Sequence, residues 1–288
     1  MYLENRYIAM LDVLGMSNKI TDKENILKTQ SKYSKLMSEF YEHIAIQRSS
    51  SETRRDLDAQ HTEVSHFVFD TIVIVSKDNV DRLGGFISAI CGLISHFAEN
   101  DMPLRGAIGY GDYSFDKESG VFLSNVFKEI NNLELAQQWL GCAISPSCEE
   151  QLIKHLKINP EDTSKLCHVV KYDIPLKNDK VLEGLCLNWV WGVPEAQKQT
   201  VIDYMEGDAA KQANTKSFID YISTFEIEKY ELPEIYRPAE YVIMLQMGDM
   251  YSMAFRNKNG EDVENGCKHI VIDPSKLPSL DAFEGSHN

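Results

Sequence analysis

The sequence predicts an α+β fold in which helices pack against a mixed β-sheet. Along the first 176 residues, short runs rich in Val, Ile and Phe alternate with longer stretches whose apolar residues recur at helical spacing. The resulting order is β-α-β-α-β-β-α-β-α-β, which combines one pair of consecutive strands with strands that helices separate. This order is typical of α+β proteins, including those with a ferredoxin-like arrangement.

The first strand is predicted at 7–14, where a short apolar run contains a single acidic residue. Apolar residues at helical spacing predict a long amphipathic helix at 24–46, and the polar stretch 47–64 predicts a loop. Residues 66–75, HFVFDTIVIV, are the clearest strand because β-branched and aromatic residues dominate them. The apolar side of 79–99 predicts a second helix.

A hairpin is predicted next, because the strand-like segments LRGAIGYGDYSF and SGVFLSN flank a turn at 116–120. After it the sequence predicts, in chain order, a helix at 130–139, a strand at 142–145, a helix at 148–157 and a strand at 168–176. These segments complete the mixed sheet and its packed helices.

The pattern of predicted elements and acidic residues changes after residue 176. The predicted elements there are a strand at 185–191, helical structure at 195–229, and extended segments at 241–248 and 269–273. This part has no acidic residue embedded in an apolar strand beside a glycine turn. We therefore predict a first domain at 1–176 and a smaller C-terminal α+β domain at 177–288.

The composition excludes several classes of partner. A net charge of −15 leaves no excess of Lys and Arg to neutralise a nucleic-acid duplex or an anionic membrane. No stretch approaches the roughly 20 apolar residues that span a bilayer, and the N-terminus lacks the pattern of a signal peptide. Six cysteines without a C-x-x-C pair predict buried, reduced thiols. We expect a cytoplasmic protein.

Two acidic residues stand out because each lies inside an apolar run. Asp12 follows Met10 and Leu11, and Asp70 lies in the strand predicted at 66–75. An unpaired carboxylate is costly to remove from water, so each needs a partner, and a divalent metal is one such partner. The alternatives are that Asp12 caps the turn at Gly15 and that Asp70 forms a salt bridge with Arg105.

A glycine-rich strand follows the two acids. Residues 104–111 read LRGAIGYG, and glycine weakens a strand unless something approaches its backbone closely. We expect a ligand or a partner chain to pack there. Arg105 begins this strand and has the permanent charge to stabilise a triphosphate or the Asp70 carboxylate. The alternative is a bulged hairpin with a surface arginine.

These three segments resemble the successive signatures of class III nucleotidyl cyclases. LDVLG contains Asp12, FDTIVIVS contains Asp70 and LRGAIGYG contains Arg105, and the resemblance extends over roughly 6–145. Within that superfamily the chain most resembles the pyrimidine cyclases of bacterial Pycsar antiphage defence. The part after residue 176, including KQANTKSF, resembles the sensor-like extension of many such bacterial cyclases.

The resemblance implies a homodimeric lyase with active sites at the subunit interface. Asp12, the Val13 carbonyl and Asp70 would bind two Mn²⁺ or Mg²⁺ ions, with Arg105 as a further catalytic residue. The substrate would be UTP or CTP, and the products would be cUMP or cCMP and pyrophosphate. UTP is preferred by the resemblance alone.

The resemblance also implies a set of nucleotide-binding residues: Val13, Leu14, Gly15, Tyr41, His66 and Asn131. His66 precedes Asp70 by four residues, where purine cyclases place a base-reading side chain, although a residue at a strand entrance explains it as well. Tyr41 lies near the end of the long helix, where it would narrow a base pocket or simply belong to the core.

Two other readings of the sequence stay open. Purine cyclases carry an Asn and an Arg on the helix after the hairpin, and that helix here offers Asn131 or Asn132 without an Arg. The missing Arg favours a catalytically silent module of the cyclase fold that binds a nucleotide or a partner, whereas the two retained acids oppose it. A purine cyclase is the third reading, which the absent Asn/Arg pattern disfavours.

Overall fold

The computed structural model of the chain describes residues 2–46, 62–68, 70–76, 83–116, 118–156, 168–205, 207–224, 241–247, 250–256 and 268–270. Within them the strands are β1 (Tyr2–Val13), β2 (Thr62–Val68), β3 (Thr71–Ser76), β4 (Leu104–Asp116), β5 (Val121–Ser124), β6 (Cys142–Ile144), β7 (Val169–Leu176), β8 (Lys180–Leu187), β9 (Tyr241–Met247), β10 (Met250–Arg256) and β11 (Lys268–Ile270). The helices are α1 (Met16–Lys19), α2 (Lys23–Ile46), α3 (Leu83–Glu99), α4 (Phe127–Ala136), α5 (Pro146–Leu156), α6 (Glu195–Asp203) and α7 (Ala209–Ser223), with a 3₁₀ turn at Val190–Gly192.

The central element is a mixed sheet of eight strands. Seven of them lie in the order β2-β3-β1-β4-β6-β8-β7, and β5 pairs with the outer half of β4. β4 and β6 run parallel, while the neighbouring pairs are antiparallel. The predicted α+β class, with a mixed sheet and packed helices, is confirmed. The ferredoxin-like, cyclase-type arrangement remains a prediction.

The side chains of β1 alternate between the two faces of the sheet, as in any strand. Tyr7, Ala9, Leu11 and Val13 point into the larger of two hydrophobic cores. Ile8 belongs to a smaller core on the opposite face, where α4 contributes Ile130 and the partly buried Leu133. Since Asp12 has the same parity as Ile8, it lies on the face that α4 covers.

Two of the three glycines of β4, Gly109 and Gly111, allow α4 and the residues just before it to lie directly on the sheet. A Cβ at Gly109 would collide with Val126 and Ile130, and one at Gly111 would collide with Val126 and Asn125. The predicted reason for these glycines, close approach by a ligand or a partner chain, is therefore corrected. The group that approaches is the helix that follows the hairpin in the same chain.

The segment after residue 176 continues the same sheet and the same core. β8 pairs with β7 and with β6, so the predicted boundary at 177 falls in a β-hairpin. From α7, the Phe218 ring lies 4.7 Å from that of Trp139, and Thr215 Oγ1 accepts a hydrogen bond of 2.8 Å from the Leu140 amide. β9, β10 and β11 form a separate three-stranded sheet. The division into domains 1–176 and 177–288 remains a prediction.

Several predicted elements differ from the observed ones, three of them as follows. The strand predicted at 66–75 is a hairpin of β2 and β3, in which Val68 pairs with Thr71 and Asp70 lies in the turn. The helix predicted at 195–229 is divided into α6 and α7, because Gly207 adopts a φ of 103° and Asp208 caps α7. The strand predicted at 185–191 ends at Leu187.

Some predictions concern residues beyond the described part. The loop predicted at 47–64 lies outside it, except for the first residues of β2. In the described segments, Cys91, Cys142, Cys148 and Cys186 are buried, and none of these four is in a disulfide bond. None of the helices described here is long and apolar enough to cross a bilayer.

Candidate functional site

Asp12 stands near the end of β1 between two neighbouring strands. It lies directly opposite Thr71 of β3 and Arg105 of β4. Residues that face each other across an antiparallel ladder share a face of the sheet. The carboxyl group is half-buried, and so are Asp70 and Thr71. This arrangement gathers polar side chains at one end of an otherwise apolar face.

Asp70 is held against β1 by its own backbone. Its carbonyl accepts a hydrogen bond of 2.9 Å from the Val13 amide, and Thr71 Oγ1 donates to Asp70 Oδ1 at 3.4 Å. The hairpin turn thus carries the Asp70 carboxyl group to the end of β1. The two acids that the sequence singled out meet in the structure.

The meeting of the two acids changes the protonation of Asp12. Burial is the largest cause that raises the pKa of Asp12 to about 7, and repulsion by Asp70 is the second. Glu134 raises the pKa further and a hydrogen bond with the Asp70 carboxyl group adds to the rise, whereas the charge of Arg105 opposes it. A bound cation would relieve this repulsion.

We expect the metal-free protein to lose stability as the pH rises from 3.8, the ordinary pKa of aspartic acid, to about 7. A pKa raised by folding means that the folded state binds the Asp12 proton more tightly, so this contribution is complete at low pH and is lost on deprotonation. After discounting for solvent screening, the loss is about 1–2 kcal/mol. Urea unfolding at pH 5 and pH 8 would measure it. Asp12→Asn should lack this component, and identical pH dependence in both proteins would contradict the assignment.

Arg105 is buried and bound to an acid that the sequence analysis did not single out. Its Nε donates to Glu134 Oε1 at 2.7 Å, and the second guanidinium nitrogen, Nη2, lies 2.5 Å from the same oxygen. The third nitrogen, Nη1, donates to the Gln137 carbonyl at 3.3 Å. Arg105 is 7% exposed and Glu134 3%. The predicted catalytic role of Arg105 would therefore act beside Asp12 from within a buried ion pair.

Gln137 extends this ion pair into a network that fixes the end of α4. Its Nε2 donates to the Gly106 carbonyl at 2.7 Å and to the Leu133 carbonyl at 3.2 Å, and its Oε1 accepts from the Trp139 indole at 2.7 Å. The end of α4 is thereby tied to β4 beside the two acids.

The segment after Asp12 leaves the sheet in a tight turn. The Leu14 amide donates to the Pro103 carbonyl at 2.9 Å, which fixes the exit of the chain from β1. Gly15 is exposed, adopts a φ of 72° and precedes α1. Val13 and Leu14 are buried. The exposed backbone of Gly15 is therefore what this turn offers to a ligand.

Replacing Gly15 with Ala should destabilise the protein by more than the same change at Gly120. Both glycines have positive φ, 72° and 69°, a conformation that costs a residue with a Cβ roughly 1–2 kcal/mol. At Gly15 the added Cβ would also lie 3.3 Å from the Tyr204 hydroxyl, while nothing lies within 4 Å at Gly120. Urea unfolding of both variants measures the difference. Equal losses would contradict the close contact with Tyr204.

The remaining predicted residues are placed less completely. Asn131 is exposed on α4, as is Asn132, and Leu135 one turn later is 49% exposed. Tyr41 lies in α2 and His66 in β2 opposite Val73, but their side chains fall outside the described part. Their roles in binding a base stay predictions.

Glu134 and Tyr204 are among the residues at this site that were not foreseen from the sequence. Glu134 has a local signal, because Ile130, Leu133, Glu134 and Gln137 recur at the spacing of a buried helical stripe, and an acid in such a stripe requires a partner. Tyr204 has none. Its hydroxyl group contacts the Leu14 carbonyl at 3.3 Å across 190 residues of sequence.

The chemistry of the two acids fits a divalent cation of the Mg²⁺ or Mn²⁺ type. Such ions prefer oxygen ligands and are commonly held by one or two carboxylates together with substrate phosphates. Asp12 and Asp70 supply two carboxylates whose mutual repulsion a cation would relieve. Among the described residues, no group of three or more His, Cys, Asp and Glu side chains forms a complete protein cage for a metal.

Two comparisons of the chain with known proteins found no match. No model of a protein family matches the chain, and no curated protein matches it.

Proposed function

We propose that this protein is a nucleotide cyclase of the class III type that converts UTP or CTP into cUMP or cCMP and pyrophosphate. The observation that carries the proposal is the meeting of Asp12 and Asp70 at one end of an apolar sheet face, which raises the pKa of Asp12 to about 7. Two acids kept together at such a cost favour a site that binds cations.

Each residue of the site has a proposed task. Asp12, Asp70 and the Val13 carbonyl would hold the cations, and the turn at Leu14 and Gly15 would receive the triphosphate. When bound, the two ions would lower the pKa of the ribose 3′-hydroxyl and neutralise charge on the phosphates. The chain's own contribution is to orient the substrate and to exclude competing geometries.

The proposed reaction balances without any further reactant. A bond forms between the ribose 3′-oxygen and the α-phosphorus, and the bond between the α-phosphorus and the bridging oxygen of pyrophosphate breaks. The hydroxyl proton passes to solvent, and pyrophosphate leaves. Charge builds on the departing phosphates, where a cation held by Asp12 and Asp70 would stabilise it.

A second candidate function rests on a specific observation. The residue one helical turn after Asn131 is Leu135, which carries no charge, and the charge of Arg105 is paired with that of Glu134. Neither position therefore offers a free cation that could stabilise a transition state. This favours the alternative of a catalytically silent module of the cyclase fold that binds a nucleotide and regulates a partner.

Incubation of the full chain with each of four radiolabelled nucleoside triphosphates and Mn²⁺ tests both candidates. We expect a cyclic product from UTP or CTP. Cyclic AMP or cyclic GMP as the main product would overturn the pyrimidine assignment in favour of a purine cyclase. Nucleotide binding without any product would support the silent module.

The homodimer and the role in antiphage defence are parts of the same proposal. An active site shared between subunits requires a dimer at working concentration, so sedimentation that finds only monomer at micromolar concentration would oppose it. The sensing role of 177–288 follows from the resemblance, and the cytoplasmic location follows from the cysteine pattern and the N-terminal sequence. Both stay with the proposal.

A further inference from the structure

A tyrosine from the C-terminal half of the chain reaches the turn that follows Asp12. Tyr204 directly follows α6, and its hydroxyl group donates to the Leu14 carbonyl at 3.3 Å. The same hydroxyl lies 3.3 Å from the position of a Cβ on Gly15. Burial, followed by the charge of Asp101, raises the pKa of the Tyr204 hydroxyl, so it remains a donor at neutral pH.

The ring of Tyr204 also holds the far end of α1. Lys19, the last residue of that helix, places its Nζ 4.9 Å from the ring centroid, within the range of a cation–π contact. The same ammonium group donates to the Asp101 carbonyl at 3.0 Å. The side chain of Tyr204 therefore contacts both the turn that precedes α1 and the last residue of α1.

The position of Tyr204 is itself fixed by the core. Its amide donates to the Thr200 carbonyl at 3.0 Å, which closes the last turn of α6. The flanking residues Ile202 and Met205 are buried in the larger core, and Met205 Sδ accepts from Thr215 Oγ1 at 3.3 Å. The backbone of Tyr204 is thus fixed in position by α6 and by its buried neighbours.

We infer that Tyr204 is a positioning residue for the nucleotide turn, Leu14 and Gly15, and so couples α6 to substrate binding. The inference rests on the proposed function, which assigns that turn to the triphosphate. Tyr204 touches the turn, and we assign it no contact with substrate. Its hydroxyl donates to the Leu14 carbonyl, and its ring contacts Lys19 at the end of α1, the helix that follows the turn.

The expected consequence is an effect on binding rather than on chemistry. A turn that is ordered before the triphosphate arrives loses less conformational entropy on binding, and the gain is the same in the ground state and the transition state. Loss of the hydroxyl should therefore raise KM and leave kcat nearly unchanged.

Tyr204→Phe removes the hydroxyl and keeps the ring over Lys19. We expect KM for the preferred nucleoside triphosphate to rise about threefold to tenfold, as for loss of one hydrogen bond, with kcat within about twofold. Tyr221→Phe is the matched control, because that hydroxyl donates to the Lys171 carbonyl at 3.0 Å on the edge strand β7. An equal rise in KM in both variants would indicate general loosening and overturn the inference.

Hydrogen exchange of a peptide covering 13–19 provides a second readout that does not depend on catalysis. We expect faster amide exchange in Tyr204→Phe than in Tyr221→Phe or the unchanged protein. Unchanged exchange together with unchanged KM would overturn the inference. If the unchanged protein makes no cyclic product, the proposed function fails, while faster exchange in Tyr204→Phe still supports the ordering of this turn by the tyrosine.

Discussion

Replacing Asp70 with Asn should abolish formation of the cyclic product and leave the protein as stable as before or more so. A carboxylate that holds a catalytic cation contributes several kcal/mol to the transition state, so we expect a loss of about 1,000-fold or more. Stability should behave in the opposite way, because the repulsion that helps raise the pKa of Asp12 to about 7 disappears with the Asp70 charge.

The combination of these two effects is what distinguishes a functional acid from a structural one. Asp173→Asn is the matched control, because Asp173 is exposed on β7 opposite Glu183 and its removal also separates two facing carboxylates. We expect that variant to keep full turnover. Product formation and the midpoint of thermal unfolding are measured on each protein. Normal turnover in Asp70→Asn would exclude it from the site, and a marked loss of stability would indicate a structural role.

Replacing Glu134 with Gln should destabilise the protein strongly. The change removes the carboxylate that is hydrogen-bonded to the guanidinium of Arg105, a side chain that is only 7% exposed. Breaking a buried ion pair from one side costs about 3–5 kcal/mol, because the remaining charge stays out of water. Urea unfolding measures the difference directly.

The control for this prediction is an ion pair on the surface. Lys216 and Asp220 of α7 lie 2.6 Å apart, with side chains 58% and 62% exposed. Asp220→Asn should cost less than about 1 kcal/mol, because exposed pairs are screened by solvent. If Glu134→Gln were as mild as Asp220→Asn, Arg105 would have another way to keep its charge solvated.

The strand-like composition of the sequence predicted strands correctly where the chain runs straight. It missed a turn where no glycine marks the reversal of the chain. Residues 66–75 predict a single strand because Val, Ile and Phe dominate on both sides of Asp70 and no glycine or proline marks a turn. The structure reverses the chain there, with Val68 paired to Thr71. By contrast, the β7–β8 turn has a local signal in Asn178 and Asp179, which adopt φ of 61° and 55°.

The candidate site was predictable only to the extent that its signals are local. An acid within an apolar run identifies Asp12 and Asp70 from sequence alone, because burying a charge demands a partner. The partner of Arg105, Glu134, was predictable from the helical spacing of the buried residues in 130–137. The contact of Tyr204 with Leu14 depends on how α6 packs against the sheet, and no local pattern encodes a contact across so much chain.

Binding of Mn²⁺, followed by the electron paramagnetic resonance signal of the free ion, is the most direct test of a cation site at Asp12 and Asp70. We expect the unchanged protein to deplete the free-ion signal, more strongly when UTP or CTP is present. The double variant Asp12→Asn, Asp70→Asn should deplete it far less. Equal depletion by the two proteins would show that the carboxyl groups meet for a reason other than holding metal, and the proposed cyclase chemistry would lose its basis.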